Sequence, residues 1–338
     1  MSHCGPGFLR LILAALVLVQ HFSSLDYGGW AVFVFFILSG YWVSRMFMGK
    51  YRHGRAPWRS FVLNRYLRLL PVYLACLGIA ATAYSYAQML PDFARSPAWW
   101  LRALPIVGSF GQPLLVGPFW SLDIEFQFYL IAPLLVVLMH QLPLRQATLA
   151  TAVFALASVG FCFAGWTEIA SAKPKIVLYF LGFFLGGIAI HRLGYAAGRR
   201  AAILSATALV ACAASLTAYP GTRGIFVALL DAKLLALNPG ISAIGAFVSL
   251  PLVSYLVARK SSPLDLHFGN FSYALYAFHI VPSTIYYALY GHLPSSMRHG
   301  PLAVAFTAAI AGSLLVYLFI DRPFENLRKR MGDRSRAK

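Results

Sequence analysis

FLRLILAALVLVQHFSS, Phe8 to Ser24, is an apolar run of spanning length interrupted by two ionisable side chains, Arg10 and His21. Read as a helix, the eleven-residue separation is about three turns, which sets both side chains on one face, about 16 Å apart along the axis. Polar groups inside an apolar span are costly and are usually paired or functional. Two readings of this pair compete. In one, Arg10 snorkels to the interface and His21 is a packing residue. In the other, the two side chains reach separate parts of an elongated substrate.

The rest of the chain has the same character. Of 338 residues, 59% are hydrophobic and 11% charged, and the mean hydropathy is +0.69. Soluble domains carry about 25% charged residues, so the composition specifies a polytopic membrane protein. A net charge of +18 would suit a nucleic-acid binder, but the basic residues cluster in short loops between apolar spans, which is a topology signal. No small-residue cleavage site follows the first apolar run, so no cleavable signal peptide is expected. Cys4, Cys76, Cys162 and Cys212 fall in no metal-ligand spacing, and three lie in apolar spans. They read as packing residues, and no metal is expected.

Apolar runs predict one all-α membrane domain over residues 1–338, a bundle of ten transmembrane helices. The expected segments are 8–24, 28–48, 64–90, 119–139, 147–165, 175–190, 201–219, 240–257, 270–290 and 301–320. With both termini cytoplasmic, the inner loops and helix ends hold 21 of the 28 lysines and arginines. Seven of these lie between Arg45 and Arg68, and seven in a basic tail over about 321–338. The outer side holds the other seven, including Lys173 and Lys175. The alternation favours that orientation. The outer loops 91–118 and 220–239 are the weak points; IFVALLDAKLLAL in the second reads as a re-entrant or interfacial helix.

Candidate functional groups sit on a few helices. In FVFFILSGYWVSRMF (33–47), Ser39 and Gly40 permit close approach of a backbone or a ligand. Arg65 and Arg68, three apart in the basic stretch 50–71, share a face at the cytoplasmic start of the third helix. They suit either anionic lipid headgroups or an anionic cytosolic ligand whose phosphates the guanidinium forks would hold. GPFWSLDIEFQFYLIAPLL (117–135) carries Asp123 and Glu125. Glu125 lies about two turns in from the outer end, on the face of Ser121 and Tyr129 and at a depth similar to His21. A carboxylate there needs a partner, and His21 and the arginines are the candidates. Helices five to eight, almost free of ionisable groups, read as scaffold. In NFSYALYAFHIVP (270–282), Ser272, Tyr276 and His279 fall at i, i+4 and i+7, a polar stripe that suggests a lined cavity.

Together these segments resemble acyltransferase family 3, bacterial integral membrane enzymes that O-acylate exported or surface sugars. The resemblance runs in order along the chain: the Arg10-x10-His21 pattern, FVFFILSGYWVSRMF, RSFVLNRYLRLLPVYL at 59–74, WSLDIEFQFYLIAPL at 120–134, SYALYAFHIVP at 272–282, and IDRPFENL at 320–327. Asp123 departs from the family pattern, which often has a small residue there. The extracytoplasmic hydrolase-like domain fused to some members is also missing from this sequence.

The resemblance implies transfer of an acyl group, most often acetyl from cytosolic acetyl-CoA, to a hydroxyl of a carbohydrate. The acceptor would be a surface polysaccharide, a lipid-linked glycan or a glycoside, at the bacterial cytoplasmic (inner) membrane. On this reading Arg10, Arg65 and Arg68 hold the CoA phosphates. His21 is the general base, Glu125 orients it, and Ser272, Tyr276 and His279 bind the thioester or its oxyanion. Direct transfer and an acyl-His21 relay both remain open. The rival classes are a proton-coupled transporter or flippase, for which no inverted repeat is visible, and a purely structural membrane protein.

Overall fold

The computed structural model describes residues 5–106, 113–164, 176–228 and 230–334, with side chains described through 328. Cys4, Lys173, Lys175 and the last four residues of the basic tail lie outside them. The chain is an all-helical, multi-pass membrane protein with no β-strand among the described residues.

The helices are α1 (Pro6–Phe22), α2 (Gly28–Met46), α3 (Pro57–Tyr86), α4 (Pro97–Ala103), α5 (Phe119–Gln141), α6 (Leu144–Ala164) and α7 (Leu181–Leu193). They continue with α8 (Arg199–Ala218), α9 (Ala232–Leu235), α10 (Asn238–Val248), α11 (Leu250–Val257), α12 (Pro263–Phe278), α13 (Ile280–Tyr290), α14 (Ser295–Val316) and α15 (Arg322–Arg334). Prolines open α1, α3, α4 and α12, where a missing N–H costs nothing because the first turn has no internal acceptor for it.

Two expected helices are divided, and proline accounts for both breaks. Pro251 leaves the Phe247 carbonyl without its i+4 donor and crowds it; α10 and α11 meet at a 47° bend there. Pro282 acts in the same way on the carbonyl of Phe278, and the chain breaks at His279 between α12 and α13. Wide π-turns at Phe47–Tyr51 and Tyr317–Asp321 continue α2 and α14.

Helix therefore occupies each of the ten expected segments, but by length and composition six helices can cross a membrane, or seven with the bent α10–α11 pair. Three segments fall short of that test. Pro6–Phe22 and Val177–Leu193 are short, and the segment around 270–290 is divided at His279.

The inner helices are packed by small residues and rings. α2 lies along α7, with Phe33 stacked on Phe183 at 4.6 Å and Phe36 on Phe184 at 4.8 Å. A Cβ at Gly40 would fall 2.0 Å from the Phe184 carbonyl, and one at Gly187 2.0 Å from that of Ile37. Only glycine permits these backbones to come so close. α1 lies along α12, whereas α6, α8 and α14 bury little of their surface and stand at the outside.

The outer loops differ from expectation. In IFVALLDAKLLAL only Ala232–Leu235 is α-helical among the described residues. Its short run starts at Asp231, whose carboxylate accepts the Lys233 and Leu234 N–H groups at 2.8 and 3.1 Å. The preceding residues pair instead with the α1–α2 turn: Leu25 bridges to Val227, and Asp26 N–H donates to the Phe226 carbonyl at 2.8 Å. In the other loop, a 3-10 turn (Asp92–Arg95) and α4 precede residues 107–112, which are outside the described set.

Candidate active site

α1 carries Arg10 and His21, and both its ends are tied to the α12–α13 segment. At its start, the buried Asp265 carboxylate of α12 accepts the N–H groups of Gly5, Gly7 and Phe8 at 3.1, 3.1 and 2.8 Å. These are first-turn donors that the helix itself leaves unsatisfied. At its end, Ser283 Oγ of α13 donates to the His21 carbonyl at 2.5 Å. The rise between Arg10 and His21 thus separates two fixed points of the bundle.

Around Arg10 lies a cavity of about 310 Å³ lined by Arg65, Arg68, Ser39, Glu125, Tyr129 and residues of α12. The arginines differ in what they already hold. Arg68 is paired with Asp321 at 2.6 Å, lies 3.8 Å from Glu325, and stacks over Tyr273 at 5.5 Å. Arg65 reaches Met46 Sδ at 3.1 Å while its buried Nε has no partner. Arg10 makes no hydrogen bond or ion pair among the described residues. The start of the basic tail thus supplies the counter-charges of Arg68.

Glu125 belongs to this arginine cavity and does not pair with His21. Its Oε1 accepts Ser39 Oγ at 2.9 Å and the Tyr129 hydroxyl. Depth along α5 suggested His21 as partner; the start of α5 at Pro118 and Trp120 lines the His21 cavity, whereas Glu125, further along, meets Ser39 of α2 in the Arg10 cavity. Asp123 is fully buried elsewhere, accepting from Gln127 Nε2 at 3.1 Å.

His21 lines a second cavity, of about 460 Å³, with Gln20, Asp26, Trp120, Asn238 and Tyr276. Its ring lies 5.1 Å from that of His279. His279 is fully buried at the α12–α13 break; its Nδ1–H donates to the Leu275 carbonyl at 2.9 Å, and its Nε2 has no partner. Of the expected stripe, Ser272 turns back to the Gly269 carbonyl at 2.8 Å and lines the arginine cavity, whereas Tyr276 lines both cavities. The Tyr276 hydroxyl meets Ser121 Oγ at 2.6 Å and donates to the Pro118 carbonyl at 3.2 Å.

Sequence reasoning missed Asp26, the carboxylate that does share the His21 cavity. Burial raises it above the ordinary carboxylate range. It stands in the turn between α1 and α2, where an acidic residue reads as solvated, and only the docking of 225–228 and Asn238 over that turn encloses it.

A family model described as an acyltransferase domain matches residues 1–320. The chain belongs to acyltransferase family 3. This acyltransferase is 25% identical over 339 residues to the acyltransferase MdmB of Streptomyces mycarofaciens, covering 90% of this chain and 82% of MdmB. It is 29% identical over 140 residues to the peptidoglycan O-acetyltransferase OatA of Listeria monocytogenes, covering 37% of this chain and 22% of OatA. The O-acetyltransferase OatA of Staphylococcus aureus is 25% identical over 174 residues, 46% of this chain and 28% of that protein. No solved structure matches the acyltransferase.

Proposed function

We propose that this acyltransferase moves an acyl group, acetyl first among them, from a cytosolic acyl-CoA to a hydroxyl of a carbohydrate on the far side of a bacterial cytoplasmic membrane. The observation that carries the reading is the pair of cavities on one helix: a cationic one at Arg10 and a histidine-lined one at His21, toward opposite ends of α1. Peptidoglycan O-acetyltransferases among the relatives support a glycan acceptor. The bundle would then cross the membrane ten times, with α1 and α7 as short spans, the α12–α13 segment as a divided one, and both termini cytoplasmic.

In this reading Arg10 and Arg65 bind the donor phosphates, since both have donor capacity to spare, and Arg68 braces the cavity wall through Asp321. The cavity of about 310 Å³ suits the thioester arm, with the nucleotide at its mouth. His21 takes the proton of the acceptor hydroxyl as that oxygen bonds to the thioester carbonyl carbon. The C–S bond breaks, and His21 returns the proton to the departing thiolate. A positioned base of this kind is worth about 10²–10⁴ in rate. His279, beside His21, holds the imidazole in place, and Glu125 balances the arginine charge.

The test is acetyl transfer by the purified protein from labelled acetyl-CoA to a panel of glycans, with wild type beside His21→Ala. Product from wild type and its loss, by about 100-fold or more, in a folded His21→Ala that still binds CoA is the expected result. Equal transfer by both would remove His21 from the chemistry; no CoA binding by folded wild type would remove the donor.

A further inference from the structure

A protein that serves two compartments from one bundle must keep their cavities from joining. A continuous aqueous path would conduct ions down the membrane potential. The residue that divides the cavities is therefore under a constraint beyond the chemistry. Among the described residues, two line both: Val32 and Tyr276.

Tyr276 is built as a fixed barrier. Its ring is buried and packs edge-on to Phe35 at 6.0 Å and near His279 at 6.2 Å. Its hydroxyl is tied to the first turn of α5 by Ser121 Oγ at 2.6 Å and the Pro118 carbonyl at 3.2 Å. The ring thus spans from α12 to α5 between Arg10 and His21. Pro118 and Ser121 each line a different one of the two cavities, so the latch sits on the boundary itself.

We infer that Tyr276, latched by Ser121, is the partition between the donor and acceptor cavities and limits the length of the acyl group that passes. This rests on the two-cavity reading above. An acyl chain that enters from the arginine side must lie beside the Tyr276 ring to bring its carbonyl within reach of His21, so a short chain passes and a longer one meets the ring.

The experiment reads the partition without requiring any acyl transfer. In a full-length chain with its four native cysteines replaced by alanine, Ser39→Cys reports the arginine cavity and Gln20→Cys the histidine cavity. A charged, membrane-impermeant methanethiosulfonate is applied to right-side-out and to inverted membrane vesicles. With Tyr276 present, each cysteine reacts from one face only, and the two faces are opposite. In Tyr276→Ala each reacts from both faces, with at least a tenfold faster rate from the formerly closed side. Ser121→Ala, which loosens the latch and keeps the ring, gives a smaller rise in the same direction. It also carries the test where Tyr276→Ala does not fold, judged by gel filtration. Unchanged one-sided labelling in folded Tyr276→Ala, or labelling from both faces with Tyr276 in place, would overturn the partition. Where wild type transfers acetyl, Tyr276→Leu shifts the butyryl-to-acetyl ratio of kcat/KM upward by about tenfold. An equal loss for both donors would make Tyr276 merely structural. Failure of wild type to use acyl-CoA counts against the function proposed above and leaves the labelling result to judge the partition.

Discussion

Three arginines look alike in sequence and differ in what they touch. Arg68 is engaged with Asp321 and Glu325 and is 14% exposed, against 3% for Asp321. Removing one member of a buried ion pair leaves the other uncompensated, at a cost of about 3–5 kcal/mol. Arg68→Ala is therefore expected to lose stability of that order, measured by chemical unfolding in detergent. Arg65 has no carboxylate partner within salt-bridge distance among the described residues, so Arg65→Ala should unfold close to wild type and instead raise the KM for the acyl donor about tenfold or more. That matches the about 1.5–3 kcal/mol of a hydrogen bond to a charged group. Equal stability losses in the two variants would contradict the division. The tail supplied the missing information: Asp321 and Glu325 are distant in sequence, and nothing in the stretch around Arg68 announces them.

At the scale of elements, the placement of α1 depends on a carboxylate that composition did not single out. Asp265 takes three N–H groups of the α1 start, and α12 passes close enough that a Cβ at Gly7 would lie 1.8 Å from the Asp265 carbonyl. Asp265→Ala leaves those donors buried and unmatched. It should cost about 3 kcal/mol or more and raise the donor KM through displaced Arg10, with Asp265→Asn recovering part of both. At the α2–α7 crossing, Gly40→Ala should cost about 1–3 kcal/mol by overpacking. Gly78→Ala, with nothing within 4 Å of the added Cβ, should be neutral or slightly stabilising, as helix propensity favours alanine. The helices themselves were legible, because long apolar runs have little alternative in a bilayer. The breaks at Ser249 and His279 were written as Pro251 and Pro282 but reached the sequence reading only as continuous spans. Glu125 was expected beside His21 but lines the Arg10 cavity instead, since a one-dimensional pattern gives the rise along a helix but not which neighbour faces a side chain. Asp26 was missed for a related reason: its enclosure comes from residues 225–228 and Asn238, two hundred positions away.

The whole molecule is a bundle whose two cavities share α1. Arg10 and His21, the feature that opened the sequence, prove to line separate cavities; of the polar stripe, Ser272 lines the arginine cavity, Tyr276 lines both, and His279 is buried beside His21. The proposed topology places the arginine cavity and both termini on the cytoplasmic face. A fluorescent or enzymatic reporter fused at either terminus should then be active only in the cytoplasm. The most direct measurement of the central proposal is sidedness of transfer. The protein would be reconstituted in sealed vesicles with a glycan acceptor confined to one side and labelled acetyl-CoA confined to the other. Acetylated glycan should form when the donor is on the side of the chain termini and the acceptor on the opposite side, and only then. Product that forms solely when donor and acceptor share one compartment would contradict a reaction that runs between the two cavities.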